Sequence, residues 1–480
     1  MVWEEDFVTV AAEDSQGFLV QFVKKGEQEG LLQEGTEEFF DASFLKTAVL
    51  PVNGKLTLLV GMGEKSLDKM KVKELAAKAA SECQARRIKE VSMDVSTLLK
   101  EQGVEAVRDI TEGALLGNYC QIRFGEEQKE EKPCKIWLSG IFSEDLSHAK
   151  SLVKEAGALA RGVMFARDMV NLPGNRLRPE EFARQVMGRM EGLPVECICY
   201  DRDKLKEMGM EALLAVGDSS EYAPCMMVLR YQGAPGERRI TGLVGKGVTC
   251  DTGGYCLKAA SSQLGIKGDM AGGAAVAGTI YALAQTRAKT NVTAVIPMVE
   301  NRISSGSFLP GDVISSYAGK TIEIGNTDAE GRLILADAVA YAVDQEKVTE
   351  VLDIATLTGA VVGMLGFSIG GVLCDDESWY EEFQRAYDVS GERYLRIPFY
   401  EEHEKMIESE LADVRNMSSD GCGTITAGLF IRKFAQGRPW LHLDIAGTAW
   451  VGQPVFAFQS KGATGAGVTT MYQLCCRKEK

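Results

Sequence analysis

From residue 225 onward, short apolar runs alternate with stretches of helical period, and this alternation restricts the fold more than any other feature of the chain. Cys225–Leu229, Ile240–Val244, Val292–Met298, Val351–Ala355 and Leu441–Ile445 have the length of buried strands. Gly272–Ala284 and Leu333–Val343 are read as helices between them. Each such element must bury an apolar face, and alternating them gives a doubly wound or mixed sheet covered by helices. Ligands of such sheets sit beyond the carboxyl ends of the strands. The polar residues that end each apolar run are therefore the place to look for chemistry.

Residues 1–150 carry the same α/β pattern more faintly. Strands are expected at Phe18–Val23, Thr57–Val60 and Lys135–Leu138. A helix is expected over Lys71–Arg87, with Val72, Leu75, Ala76, Ala79 and Cys83 on one stripe. The charged run Glu126–Lys132 reads as a solvated loop. From Ser151, the residues Leu152, Ala156, Leu159, Val163 and Ala166 share one helical face, until Asn171-Leu172-Pro173-Gly174 stops the helix. A chain of 480 residues is long for a single core. The expected division is an N-terminal domain over 1–150, a connecting helix over 151–175 and a second domain over 176–480.

Ala355–Leu373 carries no charge and is long enough to be weighed as a membrane span. Its glycines, Gly359, Gly363, Gly366, Gly370 and Gly371, point instead to a buried strand, a turn and a second strand. The net charge of −15 argues against nucleic acid and anionic membranes as partners. The opening MVWEEDF lacks a basic segment followed by an apolar one, so no secretory signal is expected. The 12 cysteines include no CxxC, and the closest spacings, Cys197/Cys199 and Cys475/Cys476, are not zinc patterns. Free thiols in a cytoplasmic protein are the expectation.

There are only 3 histidines, His148, His403 and His442, which excludes a histidine-rich zinc site and leaves few candidates for a Ser-His-Asp triad. His442 lies in an apolar strand and reads as a satisfied core histidine. Lysines and carboxylates carry more information. Lys246 and Asp251 follow the apolar run ending at Val244, with glycines around them that let a backbone approach a ligand closely. The phosphate-loop pattern GxxxxGK[ST] is not matched there. Lys258 follows, and Asp269 opens an Ala/Gly-rich helix. The segment Asn326-Thr-Asp328-Ala-Glu330-Gly-Arg332-Leu comes after the expected strand Thr321–Ile324. In extended chain Asp328, Glu330 and Arg332 would face one side. Carboxylates forced together need a proton or a cation between them, and oxygen-rich clusters suit divalent cations. A capping arrangement at a helix N-terminus remains the alternative for Asp328 and Glu330.

Together these segments resemble the leucyl aminopeptidase, or cytosol aminopeptidase, family. NTDAEGRL at Asn326–Leu333 matches its signature, and GKG, DTGG, LK and KGDM occur in the family's order with the family's spacing from Lys246 through Asp251, Lys258 and Asp269 to Asp328. ARDMVNLPGN, PGDVI, DIATLTGA, LADV, HLDIAGTAW and GATG match as well, so the likeness is specific over residues 155–480. It is weaker in the first domain, for which the family implies a macro-like α/β fold.

The resemblance implies two divalent metal ions per subunit, Mn2+ or Zn2+. Asp251, Asp328 and Glu330 would hold one, with the main-chain carbonyl of Asp328. Lys246, Asp251, Asp269 and Glu330 would hold the other, with Lys246 neutral and its pKa depressed by the cations. Lys258 and Arg332 would be catalytic. A water between two cations is acidified to near neutrality, Lys258 would stabilise the developing oxyanion, and Arg332 would hold a bicarbonate that moves the proton. The substrate's free amine would bind a metal, which restricts cleavage to N-terminal residues. Ile266, Thr356, Gly359, Ala446 and Ala449 would form a neutral pocket that admits leucine and rejects charge by desolvation. Cys250, Thr252, Cys256, Ala259 and Ile266 depart from the residues usual in the family, which bears on side-chain preference and removes no ligand. The family further implies short peptides as substrates and a homohexamer enclosing the active sites. A dipeptidase preferring Cys-Gly and a non-catalytic regulatory or binding protein, including one that binds nucleic acid, are the competing readings.

Overall fold

The computed structural model describes residues 6–11, 17–28, 31–32, 37–125, 133–418 and 420–476. The charged run Glu126–Lys132 lies outside them. Contacts divide the chain into two units, one running to Met164 and including Gln453–Lys461, the other formed by Phe165–Gly452 and the residues from Gly462. The return of 453–461 to the first unit has no counterpart in the sequence reading.

The first unit is built on strands β1 (Val8–Val10), β2 (Phe18–Lys24), β3 (Thr47–Val52), β4 (Lys55–Gly63), β5 (Glu90–Asp94) and β6 (Lys135–Ser139). They form one sheet in the order β1-β6-β5-β2-β4-β3. All neighbours are parallel except β3 and β4. That pair is a hairpin closed by Asn53 and Gly54, both at positive φ, as a tight two-residue turn requires. Helix α1 (Lys69–Ala85) follows β4, α2 (Ser96–Gln102) and α3 (Ala106–Gly117) come between β5 and β6, and α4 (Leu146–Asn171) contains the boundary between the units. Asp68 starts α1 by accepting a hydrogen bond from the Lys71 amide. The stripe Val72, Leu75, Ala76, Ala79 and Cys83 is buried throughout.

The second unit contains β7 (Val195–Tyr200), β8 (Cys225–Gln232), β9 (Thr241–Gly245), β10 (Gly247–Asp251), β11 (Asn291–Asn301), β12 (Val313–Ser315), β13 (Thr321–Glu323), β14 (Glu350–Ala355), β15 (Gly370–Cys374), β16 (Tyr394–Arg396), β17 (Val414–Arg415) and β18 (Trp440–Asp444). Nine of these form the central sheet, ordered β16-β15-β18-β14-β9-β11-β8-β7 with β10 also on β11. The sheet is mixed: β18, β14, β9 and β11 run parallel, while β15 opposes β18 and β8 opposes both β11 and β7. This is the α/β class with a mixed central sheet expected from sequence. A small sheet, β12-β13-β17, stands beside it.

The helices of this unit are α5 (Pro179–Met190), α6 (Arg202–Glu207), α7 (Glu211–Gly217), α8 (Ala271–Thr286), α9 (Glu330–Asp344), α10 (Gly359–Leu365), α11 (Glu377–Ser390), α12 (Glu401–Lys405), α13 (Gly423–Arg432) and α14 (Val468–Cys475). Strand alternation separates two packing faces. Val244, Val295 and Val351 share a core with Leu333, Ala336 and Val339 of α9. Ile296 turns the other way, toward Gly273 at the start of α8, and the Ile354 side chain lies against Gly467 before α14.

That start is packed without slack. A Cβ at Gly272 would lie 2.1 Å from the Ile354 carbonyl oxygen and 3.0 Å from the Lys246 nitrogen. The Gly273 amide donates to the Lys246 carbonyl at 2.7 Å. Gly272→Ala should force the helix away from the sheet and cost about 1–3 kcal/mol or more, the range for overpacking a dense interior. A denaturant midpoint unchanged by this substitution would contradict the packing.

Two local expectations need correction. Ala355–Leu373 is not strand, turn, strand: α10 stands between β14 and β15. Thr358 caps it by accepting from the Val361 amide at 3.2 Å, and Gly366 at φ 67° ends it. Among the described residues no helix is long and apolar enough to cross a membrane. His442 is buried as expected, with Nδ1 2.5 Å from Asp353 Oδ1, while Trp440 Nε1 donates to Asp353 Oδ2 at 2.8 Å. Its Nε2 has no hydrogen-bond partner, so the ring is only half satisfied.

Candidate metal centre

Strands β9 and β10 lie end to end along β11, and Lys246 occupies the break between them. Asp251 is the last residue of β10, and Glu330 is the first residue of α9. Asp328 sits two residues before that helix. One carboxylate oxygen from each of Asp251, Asp328 and Glu330 lies within 4.8 Å of the other two. Lys246 Nζ is 2.8 Å from both Asp269 Oδ2 and Glu330 Oε1, which brings Asp269 into the group. Lys258 Nζ is 2.7 Å from Asp251 Oδ2 and also pairs with Asp328. The four carboxylates and two lysines singled out in the sequence therefore meet at one place, at the carboxyl ends of β9 and β10 and the amino ends of α8 and α9.

Residues without a motif of their own set this geometry. Asp251 Oδ1 accepts from the Gly253 amide and from Asn301 Nδ2, both at 2.9 Å. Asn301 Nδ2 also donates to the Thr327 carbonyl at 2.9 Å. Thr327 Oγ1 donates to the Gly253 carbonyl at 2.7 Å and accepts from the Cys256 amide at 2.8 Å, which fastens the two carboxylate-bearing loops together. Asn416, just after β17, accepts from the Gly325 amide at 2.7 Å and donates to the Asn326 carbonyl at 2.8 Å. The sequence reading missed these side chains. Only Asn301 carried a signal, as a polar residue at the end of the apolar strand β11.

The segment from Asp328 to Arg332 is not extended, contrary to expectation. α9 begins at Glu330, so Arg332 is already helical and points away from the ladder imagined for it. Arg332 Nη1 donates to the Asn416 carbonyl at 2.7 Å, and its Nε is buried without a partner. The capping alternative is not realised either, because Ala329 stands at the N-cap with no side-chain hydrogen bond.

Gly331 gives the site its closeness. A Cβ there would fall 2.5 Å from Lys246 Cε and 2.6 Å from its Nζ. Gly331→Ala should push the Lys246 amine off Glu330 and Asp269 and disturb the metal position those three would share. The expected outcome is lowered metal affinity with a folded protein, measured by metal titration beside a thermal melt. Wild-type affinity would show that Lys246 yields at no cost.

Charge is out of balance here in a way that favours cations. Burial, then repulsion by Asp251, pushes the Glu330 carboxyl up to about 8 against the pull of Lys246. Burial pushes Asp269 up to about 6, with Lys246 opposing. Asp328 is raised by burial and by Asp251. Burial is the largest single influence on Lys246 and lowers it, but Asp269, Glu330 and Asp251 together outweigh it and hold the amine above its ordinary range. This is opposite to the depression expected beside cations. Cations that claimed the same carboxylates would leave burial acting with less opposition, which is the expected direction. Arg332 is pulled down to about 10 by burial, against Glu330 and Asp444.

The neutral residues assigned to a side-chain pocket lie around the next two strand ends. Thr356 and Gly359 follow β14, and Ala446 and Ala449 follow β18, its parallel neighbour. Thr356 Oγ1 donates to Asp269 Oδ1 at 2.8 Å, and its carbonyl accepts from Lys246 Nζ at 3.1 Å, so this edge adjoins the charged cluster. Asp444, which the sequence reading left without a role, ties the two loops. Its Oδ1 accepts from the Leu357 and Ala446 amides, both at 3.2 Å, and its Oδ2 accepts from Thr358 Oγ1 at 2.6 Å. Gly359 is exposed, Ala446 half-buried and Ala449 buried. Ile266 is half-buried in the 3-10 segment Ala260–Gly268, three residues before Asp269.

The residues present fit divalent cations. Three carboxylates converge, and Glu330 Oε2 is buried with no hydrogen-bond partner, an expense that a cation would remove.

Comparison with known proteins agrees with this chemistry. The model of the cytosol aminopeptidase family catalytic domain matches residues 164–472, and that of the family's N-terminal domain matches residues 6–127. A probable cytosol aminopeptidase of Clostridium perfringens is 40% identical over 436 residues, covering 88% of this chain and 86% of the relative. One of Clostridium tetani is 36% identical over 418 residues, covering 87% of each. Among solved structures, the bottromycin maturation enzyme BotP in complex with Mn superposes with a TM-score of 0.87 at 30% identity, covering 96% of this chain and 99% of that one. The chain belongs to the cytosol aminopeptidase family, whose members are peptide hydrolases.

Proposed function

We propose that this chain is a metal-dependent aminopeptidase that releases N-terminal residues, preferentially leucine and other neutral ones, from short peptides. The reading rests on the convergence of Asp251, Asp328 and Glu330 around a buried, unpartnered Glu330 oxygen. Two ions, Mn2+ or Zn2+, would be held by Asp251, Asp328 and Glu330 and by Lys246, Asp251, Asp269 and Glu330. When bound they supply Lewis acidity and an acidified water near neutral pH.

The chain's own groups supply the rest. Lys258 is a quarter exposed and keeps its proton, because the neighbouring carboxylates outweigh its burial, so it can donate to a developing oxyanion. Arg332 keeps an unpartnered buried Nε that suits a small anion such as bicarbonate, the base that a histidine-poor site lacks. Thr356, Gly359, Ala446, Ala449 and Ile266 carry no charge, so an ionised substrate side chain placed among them would lose its hydration without recompense. Enclosure of the sites in a cytoplasmic homohexamer would limit access to short peptides.

A substrate panel tests this reading. Leucyl peptides should be cleaved faster than aspartyl or lysyl ones and faster than Cys-Gly, a chelator should abolish turnover, and added Mn2+ should restore it. Light scattering should give a mass near six chains. A faster rate on Cys-Gly would favour the dipeptidase reading. Turnover that survives exhaustive chelation would end the metal mechanism, and a fully active monomer would end the enclosure.

A further inference from the structure

All 12 cysteines are free thiols, and two of them meet at the far edge of the central sheet. β7 is the edge strand there, paired among the described residues with β8 alone. Its Ile198 and Tyr200 turn toward the core, so alternation turns Cys197 and Cys199 to the opposite face. That face borders a cavity of about 690 Å³ lined by Ala183, Arg184 and Met187 of α5 together with Cys197, Cys199 and Cys225. Cys199 stands opposite Met227 in the β7–β8 register, which puts Cys225 two residues along the facing strand on the same side. Cys199 is exposed, whereas Cys225 is 3% exposed. Cys225 Sγ donates to Met298 Sδ at 4.0 Å, and Cys199 shares its face of the β7–β8 pair at the cavity.

We propose that Cys199 and Cys225 form a peroxide-reactive dithiol in which Cys199 is attacked first and Cys225 resolves it to a disulfide between β7 and β8. The exposed sulfur is the one a solute can reach. The neighbouring Cys225 thiol lowers the Cys199 pKa below its ordinary value, outweighing burial and the nearby Asp201 and Glu180 carboxylates, and so favours the reactive thiolate. The same proximity, with burial, raises the Cys225 pKa. The Cys199 thiolate attacks one oxygen of hydrogen peroxide, the O–O bond breaks, and sulfenic acid and hydroxide form. The Cys225 sulfur then displaces the hydroxyl group, its proton leaves with it as water, and the S–S bond closes. Two thiols are thereby oxidised by two electrons and one peroxide is reduced to two waters. Diagonal cross-strand neighbours lie about 7–8 Å apart, beyond the roughly 4.4–6.8 Å between Cα atoms that a disulfide spans. Closure thus needs backbone movement, for which an edge strand is better placed than a strand held on both sides.

The experiment is peptide mapping of the full chain by mass spectrometry without reduction, after titration with hydrogen peroxide. The expected product is a Cys199–Cys225 cross-linked peptide, formed at doses that leave Cys422 reduced and reversed by dithiothreitol. Cys422 is the other exposed cysteine and serves as the internal control. Cys225→Ser should stop the reaction at a Cys199 sulfenic acid that dimedone traps. If that variant does not fold, the wild-type map decides alone. Oxidation of Cys422 before Cys199, a Cys199–Cys197 bond, or Cys199 oxidised while Cys225 stays a free thiol would each overturn the proposal.

Discussion

Asp251→Asn is expected to strip the protein of both metal ions and to lower kcat/KM at least about a thousandfold, equivalent to about 4 kcal/mol of transition-state stabilisation. Asp251, like Glu330, belongs to both proposed positions. Its side chain is almost wholly buried, and its two oxygens have different duties. Oδ1 is engaged by the Gly253 amide and Asn301 Nδ2, and Oδ2 faces Lys258 at 2.7 Å. Asparagine has the same shape and can keep the Oδ1 hydrogen bonds. It replaces Oδ2 by an NH2 group that neither binds a cation nor pairs with an ammonium. The change thus removes charge while sparing the packing. Metal content by atomic emission should fall toward none per chain, while circular dichroism and the melting temperature stay near the wild type. Full metal content with lost activity would make Asp251 a reacting group rather than a ligand. Full activity would remove it from the site.

The pieces of this site were legible in sequence because each interrupts a strong pattern. Lys246 and Asp251 break an apolar strand run, Asp269 precedes α8 and Glu330 opens α9, two helices buried on nearly all sides. The rule that open α/β sheets place ligands beyond the carboxyl ends of strands predicted where they would meet. The local path from Asp328 to Arg332 was misread because two-residue alternation cannot tell an extended segment from the turn into a helix. Glu330 at the first helical position sends Arg332 toward Asn416 instead. α10 was missed because glycines at 359, 363 and 366 lower helix propensity, a weak preference that the Thr358 cap and tertiary packing override. Asn301 could have been found as the polar end of an apolar strand, but no role was readable for it or for Thr327, Asn416 and Asp444. Their work is to satisfy backbone groups of loops far away in sequence, and nothing local encodes that. The assignment of 453–461 to the first unit is of the same kind, since a loop's packing partner is not written in its own pattern.

Lys258→Ala should lower kcat by about 10²–10³ and leave KM and metal content nearly unchanged. The amine lies between Asp251 Oδ2 and the Asp328 carboxylate, at the rim of the cluster rather than in its floor. It is a quarter exposed, whereas the Lys246 side chain is 4% exposed, so Lys258 is the lysine a substrate carbonyl can reach. Burial is the largest single influence on it and lowers its pKa, but Asp251, Glu330 and Asp269 reverse the balance and keep the ammonium protonated. A protonated donor fixed in advance stabilises charge that develops on the carbonyl oxygen in the transition state more than it stabilises the neutral ground state. Its loss should therefore appear in kcat and not in KM. Removing a cation from beside the carboxylates also removes repulsion toward divalent ions, so metal affinity should hold or rise. Steady-state kinetics and metal titration on one preparation separate the possibilities. A drop in activity that follows metal loss would make Lys258 a structural counter-charge, and an unchanged kcat would take it out of the mechanism.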